Sequence, residues 1–201
     1  MKASRQGATI AEALLTCVML GLMFLLLMGV YVSCLGVWHK TNTQSDLLQN
    51  SRVTLTRLSR DIVESTYGGL SVEANAISLI SATRADGTLE VDDSTGYLRW
   101  NSYRIYYFNS TDATLRQLSV DIPFSASQRE EPTPIETLGS KPKPFSSYCT
   151  GGRVACTHVT AFEARKVGPH LVEIELETER PRYGSEKTEK IRRVIGARLH
   201  N

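Results

Sequence analysis

The chain predicts an α+β fold, in which one long N-terminal helix packs on an antiparallel β-rich head. Three observations on its 201 residues carry that expectation. No proline interrupts residues 8–66, and their apolar positions recur at helical spacing. Tyr67-Gly68-Gly69 then supplies a stop. Beyond Gly69 the pattern changes to short alternating runs separated by turn residues, as antiparallel strands require.

The helix divides in two by composition. Residues 1–7 contain Lys2 and Arg5 and no acid, Glu12 follows, and residues 13–38 carry no formal charge. A helical run of that length spans roughly 39 Å against a hydrocarbon core of about 30 Å, so it can cross a bilayer with some tilt. It is longer than the apolar region of a cleavable secretory signal. Lys2 and Arg5 hold the N-terminal end in the cytoplasm, and His39 and Lys40 mark the outer edge, with Tyr31 and Trp38 as interfacial aromatics. An acidic residue at the rim of such a segment is costly, by up to roughly 2.5–3.5 kcal/mol at a helix centre, which singles out Glu12. Past Lys40 the pattern turns amphipathic. Leu48, Leu55, Leu58 and Ile62, with Leu47 and Val63 beside them, form an apolar face, while Asp46, Gln49, Arg52, Arg57, Arg60 and Glu64 form a polar one.

Residues 70–201 form the head. Strands are expected at 76–82, 88–91, 97–109, 114–120, 157–166, 171–179 and 190–199. Asp86-Gly87 is a hairpin signal, and 110–113 joins the third and fourth strands. Trp100, Tyr103, Ile105 and Tyr107 are the expected packing positions, but Tyr106 and Phe108 alternate with the last three, so which face is buried stays open. In 171–179, Val172, Ile174, Leu176 and Thr178 alternate with Glu173, Glu175, Glu177 and Glu179, giving one buried and one acidic face. Residues 122–147 carry five prolines and read as a long, partly mobile loop.

The charge balance, 23 Lys and Arg against 21 Asp and Glu, argues against a dedicated nucleic-acid binder. Cys17 and Cys34 lie in the apolar run and behave as small hydrophobes. Cys149 and Cys156 flank a Gly-containing polar segment; in a head outside the cytoplasm they form a short disulfide-closed loop, with free thiols as the alternative. A metal site would need further ligands at short spacing. The four histidines, His39, His158, His170 and His200, have no partners at a diagnostic spacing and read as surface residues. Asp86, Glu90, Asp92 and Asp93 match no calcium motif and read as turn residues, and Asn109-Ser110-Thr111 reads as a turn. No phosphate loop, Gly-x-Ser-x-Gly or His-Glu-x-x-His occurs. The expectation is a structural protein without a cofactor rather than an enzyme.

A basic leader ending in Gly7, then Ala8-Thr9-Ile10-Ala11-Glu12 and an unbroken apolar helix, resembles the class III signal of type IV pilins and type II secretion pseudopilins. The resemblance implies cleavage by a prepilin peptidase between Gly7 and Ala8, methylation of the new N-terminus at Ala8, and a role for Glu12 as the acidic residue that pairs with the N-terminal amine of a neighbouring subunit. The sequence departs from the family at Ala8, where Phe or Met is usual, and at Ala11, where a large aliphatic is usual. In the head, residues 98–108 and 114–118 resemble a region of J-type minor pseudopilins and W-type minor pilins, and 159–163 and 197–201 fit the same pattern. Implied partners are the prepilin peptidase, other pilin or pseudopilin subunits and an inner-membrane assembly platform. The implied location is a bacterial inner membrane, crossed once with the head periplasmic or extracellular, and then a pilus or pseudopilus. A bitopic envelope protein whose β-rich domain binds a partner without any filament is the competing expectation.

Overall fold

The computed structural model describes residues 10–84, 87–124, 126–139, 141–168, 170–181 and 188–199. It has the expected α+β architecture, a long N-terminal helix and antiparallel sheets. The chain divides into two compact units, one ending at Thr43 and one covering Gln44–Asn201. Helix α1, Ile10–Glu64, contributes to both.

In the first unit α1 is long and apolar enough to cross a membrane, and its apolar side chains are exposed. Its few hydroxyls turn inward on the helix. Thr16, Ser33 and Thr41 each donate to the carbonyl four residues earlier, at 2.9–3.0 Å. That satisfies polar groups that hydrocarbon would leave without partners.

In the second unit α1 presents a seam of Leu47, Ser51, Thr54, Leu55, Leu58, Asp61 and Ile62. The seam differs from the expected one at both ends, because Leu48 and Val63 are exposed. Spacings of three and four residues run through Leu47, not Leu48, and they carry Asp61 inward as well. The helix ends where a 3-10 turn, Tyr67–Gly69, brings the backbone onto the sheet. A Cβ at Gly69 would lie 2.3 Å from the side chain of Ile80, so only glycine permits this approach.

Strands β1 (Ser71–Glu73), β2 (Ala76–Ser81), β3 (Ser102–Asn109), β4 (Thr114–Asp121) and β5 (Arg153–Cys156) follow one another in a five-stranded antiparallel sheet. Strands β6 (Val159–Lys166), β7 (Leu171–Pro181) and β8 (Thr188–Arg198) form a second antiparallel sheet. The alternation in β7 is as expected, with Val172, Ile174, Leu176 and Thr178 buried between the glutamates.

Both faces of the first sheet are buried. On one, Tyr106 and Leu115 join Leu55, Leu58 and Ile62 of α1 and Phe162, Ile174 and Leu176 of the second sheet. On the other, Tyr103, Ile105 and Tyr107 pack with Trp100, Ile135, Leu138 and Phe145. The alternation of Tyr106 with Tyr103, Ile105 and Tyr107 therefore reflects burial on both sides.

The described residues of the proline-rich segment pack onto the first sheet. They form 3-10 turns at Ser127–Arg129, Ile135–Thr137 and Phe145–Tyr148 and supply the cover for the second face. Pro134 and Pro144 sit at the start of the last two, where a fixed φ suits the turn. The Tyr103 hydroxyl donates to the Thr133 carbonyl at 2.6 Å and ties the segment to β3. Two further expectations change. Residues 88–91 form no regular strand and make only isolated bridges, Thr83 with Leu89 and Val91 with Leu98. The cysteine loop contains a strand, β5. Asp86, half of the expected hairpin signal, lies outside the described residues, while Gly87 adopts φ +85°.

Phe145→Ala is expected to cost about 3–5 kcal/mol of stability, the usual range for emptying a phenylalanine site in a core. Limited proteolysis should then cut within 122–148 before it cuts elsewhere in the head, and unchanged resistance would contradict the assigned role of Phe145.

Candidate functional site

Two places in the chain gather functional groups, the start of α1 and a polar cleft on the head. Glu12 lies in the first turn of α1, where a carboxylate complements the positive end of the helix dipole. Its carbonyl accepts the Thr16 hydroxyl at 3.0 Å. Gly7 and Ala8, the expected cleavage and methylation positions, lie outside the described residues.

The cleft, of about 1120 Å³, lies between the C-terminal part of α1 and the first sheet. Its inner wall is built on Asp61, which α1 buries to 4% exposure. The Arg104 guanidinium of β3 donates to one oxygen of that carboxylate, and the Tyr106 hydroxyl donates to the other at 2.6 Å. Glu64, one turn on, stands 3.7 Å from the same guanidinium. Burial, then the adjacent Asp61 charge, pushes the Tyr106 hydroxyl far above its usual range, so it stays a donor at any physiological pH.

A second buried pair closes the far wall. Arg129, 6% exposed, donates to Glu90, which also accepts from the Asn101 amide at 3.2 Å and faces Arg84 at 3.6 Å. Burial opposes the charge on Glu90, but the Asn101 hydrogen bond and the Arg129 and Arg84 charges outweigh it and hold the carboxyl below its ordinary value. Glu90 is therefore not the simple turn residue expected. Asp92 is one: its carboxylate accepts from the Ser94 hydroxyl at 2.6 Å and the Ser94 amide at 2.8 Å, which with Arg99 hold it at about 2.

The two head cysteines are free thiols in the structure, and the expected bridge is not formed. The reason is their placement on opposite faces of the first sheet. Cys156, opposite Leu115 across the β4–β5 pairing, belongs to the core shared with α1, whereas Cys149 packs against the core under the proline-rich segment. Burial, then the Glu73 charge, pushes the Cys149 thiol up to about 11. Cys17 and Cys34 are also free and exposed. His39 stacks edge-on with Trp38 at 5.1 Å and His170 with Tyr67 at 6.0 Å, while His158 adopts φ +59°. His200 lies outside the described residues. Among the described residues no group of three or more His, Cys, Asp or Glu is placed to hold a metal ion.

No protein family, characterised protein or solved structure matches the chain. Sequence reasoning missed both buried ion pairs. The one available signal was the position of Asp61 itself, three residues after Leu58 and beside Ile62 on the apolar face.

Asp61→Ala leaves the Tyr106 hydroxyl without its acceptor and Arg104 with only Glu64, 3.7 Å away, and is expected to cost about 3 kcal/mol, whereas Asp61→Leu combined with Arg104→Met should cost much less. Urea unfolding of the full chain in detergent micelles measures both, and equal losses would contradict the coupling. The Glu90 contribution has a defined pH window. A carboxyl held below its ordinary value stabilises fully above about pH 4.3, and that stability is lost as pH falls through the lowered value. Glu90→Gln should therefore lower the melting temperature near neutrality and leave a shallower acid limb, as thermal scans across pH 2–7 would show.

Proposed function

We propose that this chain is a minor pilin or pseudopilin subunit, structural rather than catalytic, that joins a type IV pilus or type II secretion pseudopilus. The observation that carries the proposal is the continuity of α1. A membrane-length apolar stretch with Glu12 in its first turn continues without a break into a seam that packs on a β-rich head. A membrane anchor alone has no need for a carboxylate at its start, and a secretory signal would not remain joined to the domain it exports. The basic leader ending in Gly7 and the spacing from it to Glu12 support the same reading.

In this reading Lys2 and Arg5 keep the leader in the cytoplasm, where a prepilin peptidase cuts after Gly7 and Ala8 becomes the methylated N-terminus. The head faces the periplasm or exterior. The apolar part of α1 leaves the bilayer by packing laterally against the helices of other subunits on an inner-membrane platform. Glu12 then meets the N-terminal amine of a neighbour. In a desolvated helical core an unpaired carboxylate is penalised, so the pair would select subunits that enter in register. The J-type or W-type position is the subtype proposed for the head.

Gly7→Leu is expected to leave the leader attached, and mass spectrometry of the wild-type protein from membranes should give a chain that starts at a methylated Ala8. Glu12→Ala is expected to be inserted and processed normally, but to be depleted at least about tenfold from purified filaments, as removal of one partner of a desolvated pair implies. A chain that keeps Met1, or a Glu12→Ala protein that co-purifies with filaments at the wild-type level, would overturn the proposal in favour of a bitopic anchor.

A further inference from the structure

Strand β4 is longer than the neighbour that covers it. Its eight residues pair with β3 along their whole length, but β5 reaches only Leu115, Arg116 and Gln117. Residues 118–121 therefore have an open side. The β3 register fixes which groups point there. Asp121 stands opposite Ser102, and the Ile122 amide donates to the Asn101 carbonyl at 2.8 Å, so the even-numbered residues of β4 direct their amides and carbonyls toward β3. The backbone groups of Ser119 and Asp121 consequently face the open side. Among the described residues they have no bonded partner.

This open edge borders the polar cleft, which Ser119 and Asp121 help to line. Six arginines line the cleft against three carboxylates. Asp61 and Glu90 are already engaged by Arg104 and Arg129, whereas Arg57 has no hydrogen bond or ion pair among the described residues. Arg153 lies at the last paired position, opposite Gln117, and bonds that side chain through two of its nitrogens. On the reverse face of the same edge, Leu118 and Val120 are half-buried apolar side chains at the margin of the core.

We propose that the edge of β4 at 118–121 takes an extended segment of another protein as an added antiparallel strand, in line with β5, and that this segment alternates acidic and apolar residues. The alternation follows from the pleat. A residue opposite Ser119 projects its side chain into the arginine-lined cleft and exchanges backbone hydrogen bonds with Ser119, while its neighbours project toward Leu118 and Val120. Backbone pairing supplies affinity and the two unlike faces supply selectivity, as in other cases of strand addition. Asp121 faces the cleft at the outer end, so the acidic position opposite Ser119 carries more of the selectivity than the next. The proposal stands whether or not the chain assembles into a filament.

The test uses the full chain in detergent micelles and fluorescein-labelled seven-residue peptides of alternating Glu and Val, read by fluorescence anisotropy. The Glu/Val peptide is expected to bind saturably at low ionic strength, and a Lys/Val peptide is not. Methylating the backbone nitrogens of the Glu residues should abolish binding, since those amides face β4; methylating the Val nitrogens should not. Arg57→Glu with Arg153→Glu, both on surface positions, should weaken binding by roughly tenfold without changing the circular dichroism spectrum. Absence of saturable binding would overturn the proposal. So would binding that survives methylation of the Glu nitrogens, because that pattern marks charge attraction without strand pairing.

Discussion

Because α1 carries a carboxylate on the face that it buries, the helix can be seated on the head only where a cation and a hydroxyl meet that carboxylate. Arg104 and Tyr106 provide both from a single strand, two residues apart and so on one face of β3. Hydrophobic contacts from Leu55, Leu58 and Ile62 hold the helix down, but contacts of that kind tolerate sliding and rotation. The Asp61 carboxylate does not, since a shift by one turn would bury it against apolar side chains. The network therefore sets the register between helix and sheet, a specificity role that buried polar groups fill in some other systems.

The same strand explains why the proline-rich segment packs onto the sheet. With Arg104 and Tyr106 turned toward α1, Tyr103, Ile105 and Tyr107 must face the other way, and three large side chains cannot be left in water. Residues 122–148 cover them through Ile135, Leu138 and Phe145, each at or beside a 3-10 turn. The buried Arg129–Glu90 pair then connects the covering segment to the chain ahead of β3. Packing of a long proline-rich segment is thus a consequence of placing apolar side chains on both faces of one strand.

Much of this was legible in the sequence because it is periodic. The helix, the alternation in β7 and the hairpin of β3 and β4 announce themselves through repeated spacing over eight or more residues. Strands β1 and β5 do not, since three or four residues carry no measurable period. The covering role of 122–148 was hidden for a different reason. Ile135 and Phe145 stand alone among prolines and polar residues, and an isolated apolar residue in a loop has no pattern to mark it as core. The cysteines misled by proximity in sequence: a strand runs between them, and the two thiols settle on opposite faces of the sheet. The ion pairs of the cleft depend on tertiary contacts across tens of residues, from Asp61 to Arg104 and from Glu90 to Arg129, which no local rule connects.

The open edge of β4 is a built feature, because the chain that could have covered it is turned away at a defined point. Gly151 and Gly152 adopt φ of +75° and +80°, a region that other residues enter at a cost, and a Cβ on Gly152 would come within 2.6 Å of the Gln117 carbonyl. The strand can start only at Arg153, one residue past this contact, so β5 cannot extend alongside 118–121. Exposed edges are usually blunted by short length or by charge on the core side of the strand. β1 has three residues, and β8 carries Arg193 on the same side as the buried Leu176. On the open stretch of β4 the one such charge is Asp121, at its outer end; Ser119 and Asp121 leave their backbone groups accessible, with arginines on one side and apolar side chains on the other. An edge left open by two glycines, and asymmetric in its chemistry, discriminates among incoming strands in a way that a flat apolar edge would not.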